Sequence, residues 1–167
     1  VMLTPSATSE FVGLAFKLEE GLHGQLTYVR VYQGSMGRGQ SLLNVRSGKK
    51  VRVGRLARIH SDEMVDIQSV GPGEICAGVG IECSSGDTLT SGPMITMSSI
   101  HVPPSVVSFA LHAEQKQISK LMKALTRFQR EDLTFHVEFD EETREINIFG
   151  MGELHLEIYI ERIKREY

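Results

Sequence analysis

The fold of the C-terminal region is decided by the stretch 134–167, which reads TFHVEFDEETREINIFGMGELHLEIYIERIKREY. Apolar and polar residues alternate at its start, so that Phe135, Val137 and Phe139 share one side of an extended chain. A period of two predicts a β-strand with one buried face. A polar turn joins it to a second strand over 145–149, and we expect the two strands to pair.

The same stretch ends in a predicted helix over 152–167. Its apolar residues Leu154, Ile158 and Ile163 are expected to face the core, while its charged residues form a solvent-facing stripe. The glycines of 150–152 supply a tight turn, which lets this helix pack closely against the strand before it.

Two further elements lie upstream of these. Residues 106–111 read as a strand, and a helix is predicted over 117–130. The apolar residues of this helix recur at helical spacing and are Ile118, Leu121, Met122, Leu125 and Phe128. The order βαββα predicts an α+β, ferredoxin-like unit that lacks its final strand. We therefore expect an unpaired sheet edge beside 106–111.

A domain boundary is predicted at Pro103 and Pro104, because two prolines stop a strand and stiffen a connection. The chain is thereby divided into residues 1–102 and 103–167. The first part holds most of the glycines among short segments rich in β-forming residues, which is typical of an all-β unit. A small closed barrel removes so many strand edges economically, with a bulge or bend expected at Gly54. The expected strands cover 11–18, 25–32, 41–45, 50–59, 64–70, 75–79 and 95–100.

Charge is distributed unevenly along the chain, although the net charge is only −3. Residues 21–61 contain no Asp or Glu, whereas the rest of the chain carries all 21 acidic residues. Such a cationic patch attracts phosphate through counterion release and long-range steering. A solvated basic face is the alternative interpretation. The basic residues of this stretch are Arg30, Arg38, Arg46, Lys49, Lys50, Arg52, Arg55 and Arg58.

The composition is that of a soluble globular protein, with 41% hydrophobic and 23% charged residues in 167. Cys76 and Cys83 are too few for a disulfide framework and lack metal-ligand partners at useful spacing, so we expect reduced structural thiols. No apolar run reaches the length of a membrane-spanning helix, and the first residues lack the pattern of a signal peptide. We expect a protein of a reducing compartment with no membrane partner.

The sequence shows no centre for nucleotide hydrolysis. Its nearest approach to a phosphate loop, Gly48-Lys49, is followed by lysine rather than by Ser or Thr. The turn between Gly150 and Gly152 opens a helix and can attract an anion, but Glu153 in the first helical turn repels phosphate. A small nucleotide-binding enzyme that uses this turn is the weaker alternative.

Metal binding and nucleophilic catalysis are also disfavoured. Glu153, His155 and Glu157 look like metal ligands, but residues two apart on a helix point in different directions. No Ser or Cys nucleophile is accompanied by a convincing base and orienting acid. We therefore expect no catalytic residue, no metal and no cofactor in this chain, which is not expected to be an enzyme.

Several segments together resemble the second and third domains of elongation factor G, in the right order along nearly the whole chain. GMGELHLE at 150–157 is similar to a signature of the third domain of that family. The other segments are FVGLAFK at 11–17, GQLTYVRVYQG at 24–34, GDTL at 86–89 and REDLTF at 130–135. Residues 55–64 and 73–77 look most like the mitochondrial form of the factor.

The resemblance implies a β-barrel of the translation-factor domain II type, followed by a third domain truncated before its last strand. In the family, the second domain rests on small-subunit ribosomal RNA, and this is the part that carries the acid-free stretch. The candidates for contact with ribosomal RNA are Lys49, Lys50, Arg52, Arg55 and Arg58.

The third domain of the family connects a small-subunit protein to the GTPase switches. The resemblance thus implies two partners. One is the ribosome, contacted through small-subunit RNA and a small-subunit protein, and the other is the GTPase domain of the same parent chain. GTP and magnesium would belong to that missing first domain. The signature segment, which we expect at a domain interface, comprises Gly150, Met151, Gly152, Glu153 and His155.

The expected function is ribosome binding and signal relay within a factor that catalyses GTP-dependent translocation. Fragments of related ribosome-recycling or ribosome-protection GTPases are alternatives, and so is a stand-alone protein-interaction module. The resemblance favours the mitochondrial matrix as the location, with the bacterial cytoplasm as the alternative.

Overall fold

The computed structural model describes residues 2–21, 24–61, 63–98 and 101–167. The chain forms two compact units, Val1–Ile100 and His101–Tyr167. The strands described in the first unit are β1 (Val12–Gly21), β2 (Gly24–Gln33), β3 (Met36–Gly37), β4 (Ser41–Asn44), β5 (Lys49–Arg52), β6 (Arg55–His60), β7 (Glu63–Asp66), β8 (Ser69–Val70), β9 (Ile75–Val79) and β10 (Asp87–Thr90).

Eight of these strands form one antiparallel sheet in the order β5-β4-β10-β1-β2-β9-β6-β7, and β3 pairs with β8. Strand β5 lies at one end of this order and β6 is next to the other end. Only Val53 and Gly54 join them, so the sheet must curl back on itself to bring its ends together. This is the predicted barrel.

The interior of the barrel is a single apolar cluster to which strands from both ends of the sheet contribute. Phe11, Leu42, Val51, Leu56 and Leu89 are all almost completely buried within it. Burying each such side chain contributes about 1.5–3 kcal/mol. The core therefore stabilises the curled form over an open sheet.

Several details of the first unit differ from the sequence prediction. The expected strand 64–70 is divided into β7 and β8, which belong to different sheets. The expected strand 50–59 is divided into β5 and β6, because the chain turns at Gly54, where a Cβ would lie 2.7 Å from the carbonyl oxygen of Val79. Residues 95–98 form no strand, and residues 99 and 100 lie outside the described part. Strand β10 was not predicted as a strand, although it is completely buried between β1 and β4.

The second unit has the predicted βαββα order. Its elements are β11 (Val107–Leu111), a 3-10 turn (Gln115–Gln117), α1 (Ile118–Glu131), β12 (His136–Phe139), β13 (Ile146–Gly150) and α2 (Glu153–Glu166). The sheet is antiparallel in the order β11-β13-β12. Within the described residues β11 pairs with β13 alone, which leaves the expected open edge.

Both helices bury one face against this sheet. An aromatic cluster, with ring centroids 4.5–6.3 Å apart, consists of Phe128 of α1, Tyr159 of α2 and Phe135, which precedes β12. Leu156 is fully buried beside them, and Ile163 packs at the margin as predicted.

The apolar face of α2 was otherwise predicted wrongly. Leu154 is 69% exposed and Ile158 is 51% exposed, because Leu156 and Tyr159 occupy the side of the helix that faces the sheet. Phe139, also expected inside, is 60% exposed at the end of β12.

Candidate functional site

Three of the candidate cations lie on β5, an edge strand that pairs only with β4 among the described residues. Val51 points into the core, whereas Lys49, Lys50 and Arg52 are exposed. None of these three side chains reaches a carboxylate within the described residues. We call Lys49, Lys50 and Arg52 the basic edge.

The other two candidates, Arg55 and Arg58, are placed differently. Nε of Arg55 lies 2.6 Å from Oδ1 of Asp66, and Nη2 of Arg58 contacts Oε1 of Glu74. Both pairs are solvent-exposed, so they add little stability, but each carboxylate offsets a positive charge. The unpaired positive charge of the candidates is therefore concentrated on the basic edge.

The position of the basic edge also gives it a structural role. Lysines on an edge strand oppose pairing with another sheet. This role and phosphate binding are compatible, because both require the side chains to remain in solvent.

A buried carboxylate orders the turn that leads into the basic edge. Asp87 is 1% exposed and accepts hydrogen bonds from Nδ2 of Asn44 (2.7 Å) and the backbone N–H of Ser84 (2.8 Å). It also accepts from the guanidinium of Arg46, including a 3.2 Å contact from Nη2. Asn44 in turn accepts the backbone N–H groups of Arg46 and Ser47 through Oδ1, at 3.1 and 3.2 Å.

Burial alone would raise the pKa of Asp87, but hydrogen bonds from Arg46, Ser84 and Asn44 outweigh it and hold the pKa below its usual value. Asp87 is therefore ionised near neutral pH. The ionised carboxylate of Asp87 therefore stabilises the turn between β4 and β5.

The signature segment lies where β13 ends and α2 begins. The backbone N–H of Met151 donates to Nδ1 of His155 at 3.1 Å. A Cβ at Gly150 would lie 2.7 Å from that same nitrogen and 2.7 Å from Cδ2 of Leu156. Gly150 is therefore needed for the imidazole to pack against the turn, while nothing lies within 4 Å of a Cβ at Gly152.

His155 links this turn to the end of α1. Because its Nδ1 accepts a hydrogen bond, the ring proton of the neutral form is on Nε2, which donates to Oδ2 of Asp132 at 2.9 Å. The hydroxyl of Tyr159 donates to the same oxygen at 2.8 Å. Thr134 donates its backbone N–H and its hydroxyl to Oδ1 of Asp132, at 2.8 and 2.6 Å.

Asp132 thus joins the end of α1, the approach to β12 and the first turns of α2. Burial would raise its pKa, but the hydrogen bonds from Thr134, Tyr159 and His155 hold the pKa below its usual value. Burial and the bond to Asp132 raise the pKa of Tyr159. Asp132 and its hydrogen-bond donors Thr134, His155 and Tyr159 therefore hold these elements together, and we call this group the Asp132 latch. Glu153 of the signature segment is exposed.

We expect Asp132→Asn to lower the free energy of unfolding of the second unit by about 1–3 kcal/mol at neutral pH, since an amide cannot accept all four hydrogen bonds. The pKa of Asp132 is lower in the folded state, so its contribution is present above the unfolded pKa of about 4 and is lost as the pH falls through the folded pKa. In urea titrations, the loss of unfolding free energy caused by Asp132→Asn should be smaller at pH 3 than at pH 7.

Glu138→Gln, an exposed change of the same kind on β12, is the control and should have little effect. If Asp132→Asn lowered the free energy of unfolding equally at both pH values, the stabilising role of an ionised Asp132 would be contradicted.

A closed ring of alternating charges also joins the two helices. Arg127 contacts Glu131 and Glu166 at 2.6 and 2.7 Å. Arg162 contacts the same two carboxylates at 3.2 Å each, and its guanidinium carbon lies 4.4 Å from the ring centroid of Phe128. Neither this ring nor the role of Asp132 was predicted from the sequence. The spacing of four between Arg127 and Glu131, and between Arg162 and Glu166, was the available signal.

Within the described residues, no group of three or more His, Cys, Asp and Glu side chains is arranged to hold a metal ion. No helix of the described part is both long and apolar enough to cross a membrane. Cys76 and Cys83 are buried and unbridged, and burial raises the pKa of Cys76 to about 12.

Comparison with known protein families gives a match for each unit. Residues 24–90 match the family described as elongation factor Tu domain 2, and residues 102–167 match elongation factor G, domain III. The structure is similar to a crystal structure of a protein from Thermus thermophilus, with a TM-score of 0.75 and 27% sequence identity. The similarity covers 93% of this chain and 24% of that one, so this chain spans about a quarter of its neighbour's length.

Proposed function

We propose that the chain, whose two units match elongation factor Tu domain 2 and elongation factor G, domain III, comprises the second and third domains of an elongation factor G. In this proposal it is the ribosome-binding and relay part of a translational GTPase that drives translocation. The observation that carries the proposal is the basic edge, three exposed cations without a carboxylate partner in the described structure. The proposed partner of this edge is small-subunit ribosomal RNA, whose phosphates attract such a cluster irrespective of sequence.

The second unit has a different proposed role. Its helices and sheet are tied together by the latch at Asp132 and by the charge ring, which favours movement as one body. A body of this kind suits a connector between a GTPase domain of the same parent, which would hold GTP and magnesium, and a small-subunit protein. The proposed location is the mitochondrial matrix, because residues 55–64 and 73–77 resemble the mitochondrial form of the factor.

The basic edge is tested by reversing its charge. We expect Lys50→Glu combined with Arg52→Glu to weaken binding to purified small ribosomal subunits by about 10- to 100-fold, because two phosphate contacts become repulsive. The slope of log affinity against log salt concentration should fall by about two. Sedimentation of the chain with subunits over a range of salt concentrations measures both quantities.

The matched control is Lys116→Glu with Lys120→Glu, which makes the same change in net charge on exposed residues of the second unit. Equal losses for the two double variants would show that only net charge matters. Binding that does not depend on salt would remove the phosphate contact from the proposal.

A further inference from the structure

Strand β11 forms an open edge of the sheet in the second unit, and it carries no charged residue. Its sequence over 107–111 is VSFAL, in which three apolar residues alternate with two exposed small ones. Charged side chains usually keep such an edge from pairing with another sheet. The other strands that end the two larger sheets, β5, β7 and β12, do carry exposed charges. Among these edges, β11 is therefore the one that most readily accepts a further strand.

The sequence of β11 is complementary to itself. In an antiparallel pair of two copies centred on Phe109, Val107 of each copy lies opposite Leu111 of the other, and Ser108 lies opposite Ala110. The apolar residues meet on the side of the sheet that holds the core, and the small residues meet on the other side. This pairing brings no like charges together.

Helix α2 presents a partly charged face toward the same edge. It packs over β13 and β11, whereas α1 packs over β12. Arg162 and Glu166 point toward α1, because they form the charge ring with it. Ile160 and Lys164 line an open cavity together with Leu111 of β11, so the opposite side of α2 lies toward β11. The residues about 180° around the helix from the charge ring are Glu153, Glu157, Ile160 and Lys164.

The charges of this face are complementary between two antiparallel copies. Glu153 and Glu157 lie in the first half of α2, and Lys164 lies in its last turn. The two glutamates have no ion pair within the described residues, and Lys164 is paired only with the exposed Glu161 at 3.0 Å. A two-fold axis at Phe109 reverses the direction of α2 in the second copy. The glutamates of each copy then face the lysine of the other.

We propose that two copies of this chain form a dimer in which β11 pairs with β11 and α2 packs against α2. Because α2 contacts both β11 and β13, its axis lies about half a strand spacing inside the edge. With paired strands about 4.8 Å apart, the two α2 axes are about 10 Å apart, which is the spacing of packed helices. The free backbone groups of β11 require N–H and C=O partners in register, and a second copy of the same strand supplies them.

The oligomeric state of the whole chain in solution tests the proposal. Sedimentation velocity over a range of concentrations should show a reversible equilibrium between monomer and dimer. Ser108→Lys combined with Ala110→Lys should weaken dimerisation about tenfold, because like charges then lie opposite each other at two places. The matched control is His136→Lys with Glu138→Lys, which puts two lysines on the other open edge, opposite the same two residues of β13. The control should dimerise like the unaltered chain.

Charge reversal on α2 provides a second measurement. Lys164→Glu alone should weaken dimerisation about threefold to tenfold, because it sets glutamate against glutamate. Adding Glu153→Lys and Glu157→Lys to this variant should restore dimerisation, because the charges are again complementary with their signs exchanged. A role of Lys164 within a single copy predicts no such rescue.

Two results would overturn the inference. A chain that sediments as a monomer at every concentration has no such interface. A dimer that the lysines on β11 leave intact, or that the lysines on β12 weaken equally, is built on another surface. Neither result bears on ribosome binding, which the salt dependence of the basic edge tests separately.

Discussion

Asp87→Ala is expected to lower the free energy of unfolding of the first unit by about 3–4 kcal/mol, because it leaves buried donors without an acceptor. Asn44 is itself buried, and its Nδ2 loses a 2.7 Å hydrogen bond, while the backbone N–H of Ser84 loses one of 2.8 Å. Arg46 loses its partner as well, but its side chain is largely exposed and can turn to water. Urea unfolding followed by far-ultraviolet circular dichroism measures the change.

Asp66→Ala is the control for this substitution. It removes the carboxylate of an ion pair of similar length, 2.6 Å to Arg55, but on the surface. Exposed pairs contribute about 0–1 kcal/mol, so the control should be nearly neutral. A loss of less than about 1 kcal/mol for Asp87→Ala would show that the buried network is not a source of stability.

Gly34→Ala is expected to destabilise the first unit by about 3–5 kcal/mol, through backbone strain added to a steric clash. Gly34 has a φ of 69°, in the left-handed region that side chains disfavour. An added Cβ would lie 2.6 Å from the carbonyl oxygen of Ser9 and from Cα of Phe11. These are backbone atoms of the segment just before β1, so relieving the clash would move the buried Phe11.

Gly48→Ala separates the two contributions. Gly48 has nearly the same φ, 67°, but nothing lies within 4 Å of a Cβ there. This variant should lose only the conformational part, about 1–2 kcal/mol. Similar losses for Gly34→Ala and Gly48→Ala in the same urea titration would refute the clash.

Local patterns predicted most of the second unit. The alternation at Phe135 and Val137 and the helical spacing of Leu121, Leu125 and Phe128 correspond to β12 and its approach and to α1. The face of α2 was harder, because apolar residues occur on most of its circumference. Its orientation is fixed by the contact of His155 with Gly150 and Asp132, which joins residues from three separate elements.

The candidate site divides in the same way. An acid-free run of sequence indicates where cations are concentrated, and Lys50 and Arg52 do lie exposed on one strand. It cannot indicate which cations are neutralised, because the carboxylates come from outside the run. Asp66 and Glu74 reach Arg55 and Arg58 only after β6 pairs with β7 and β9. Strand β10 was not predicted for a similar reason, since its four residues form a central strand only by pairing with β1 and β4.

The position of β1 between β2 and β10 has a consequence for synthesis of the protein. Val12 pairs with Thr90, and the hydroxyl of Thr90 donates to the carbonyl oxygen of Phe11 across 79 positions of the chain. The β1–β2 hairpin can form early on a nascent polypeptide, but its other edge stays open until residue 90 has emerged. Contacts so distant in sequence slow folding, so the barrel must close late, after most of its own strands have been translated.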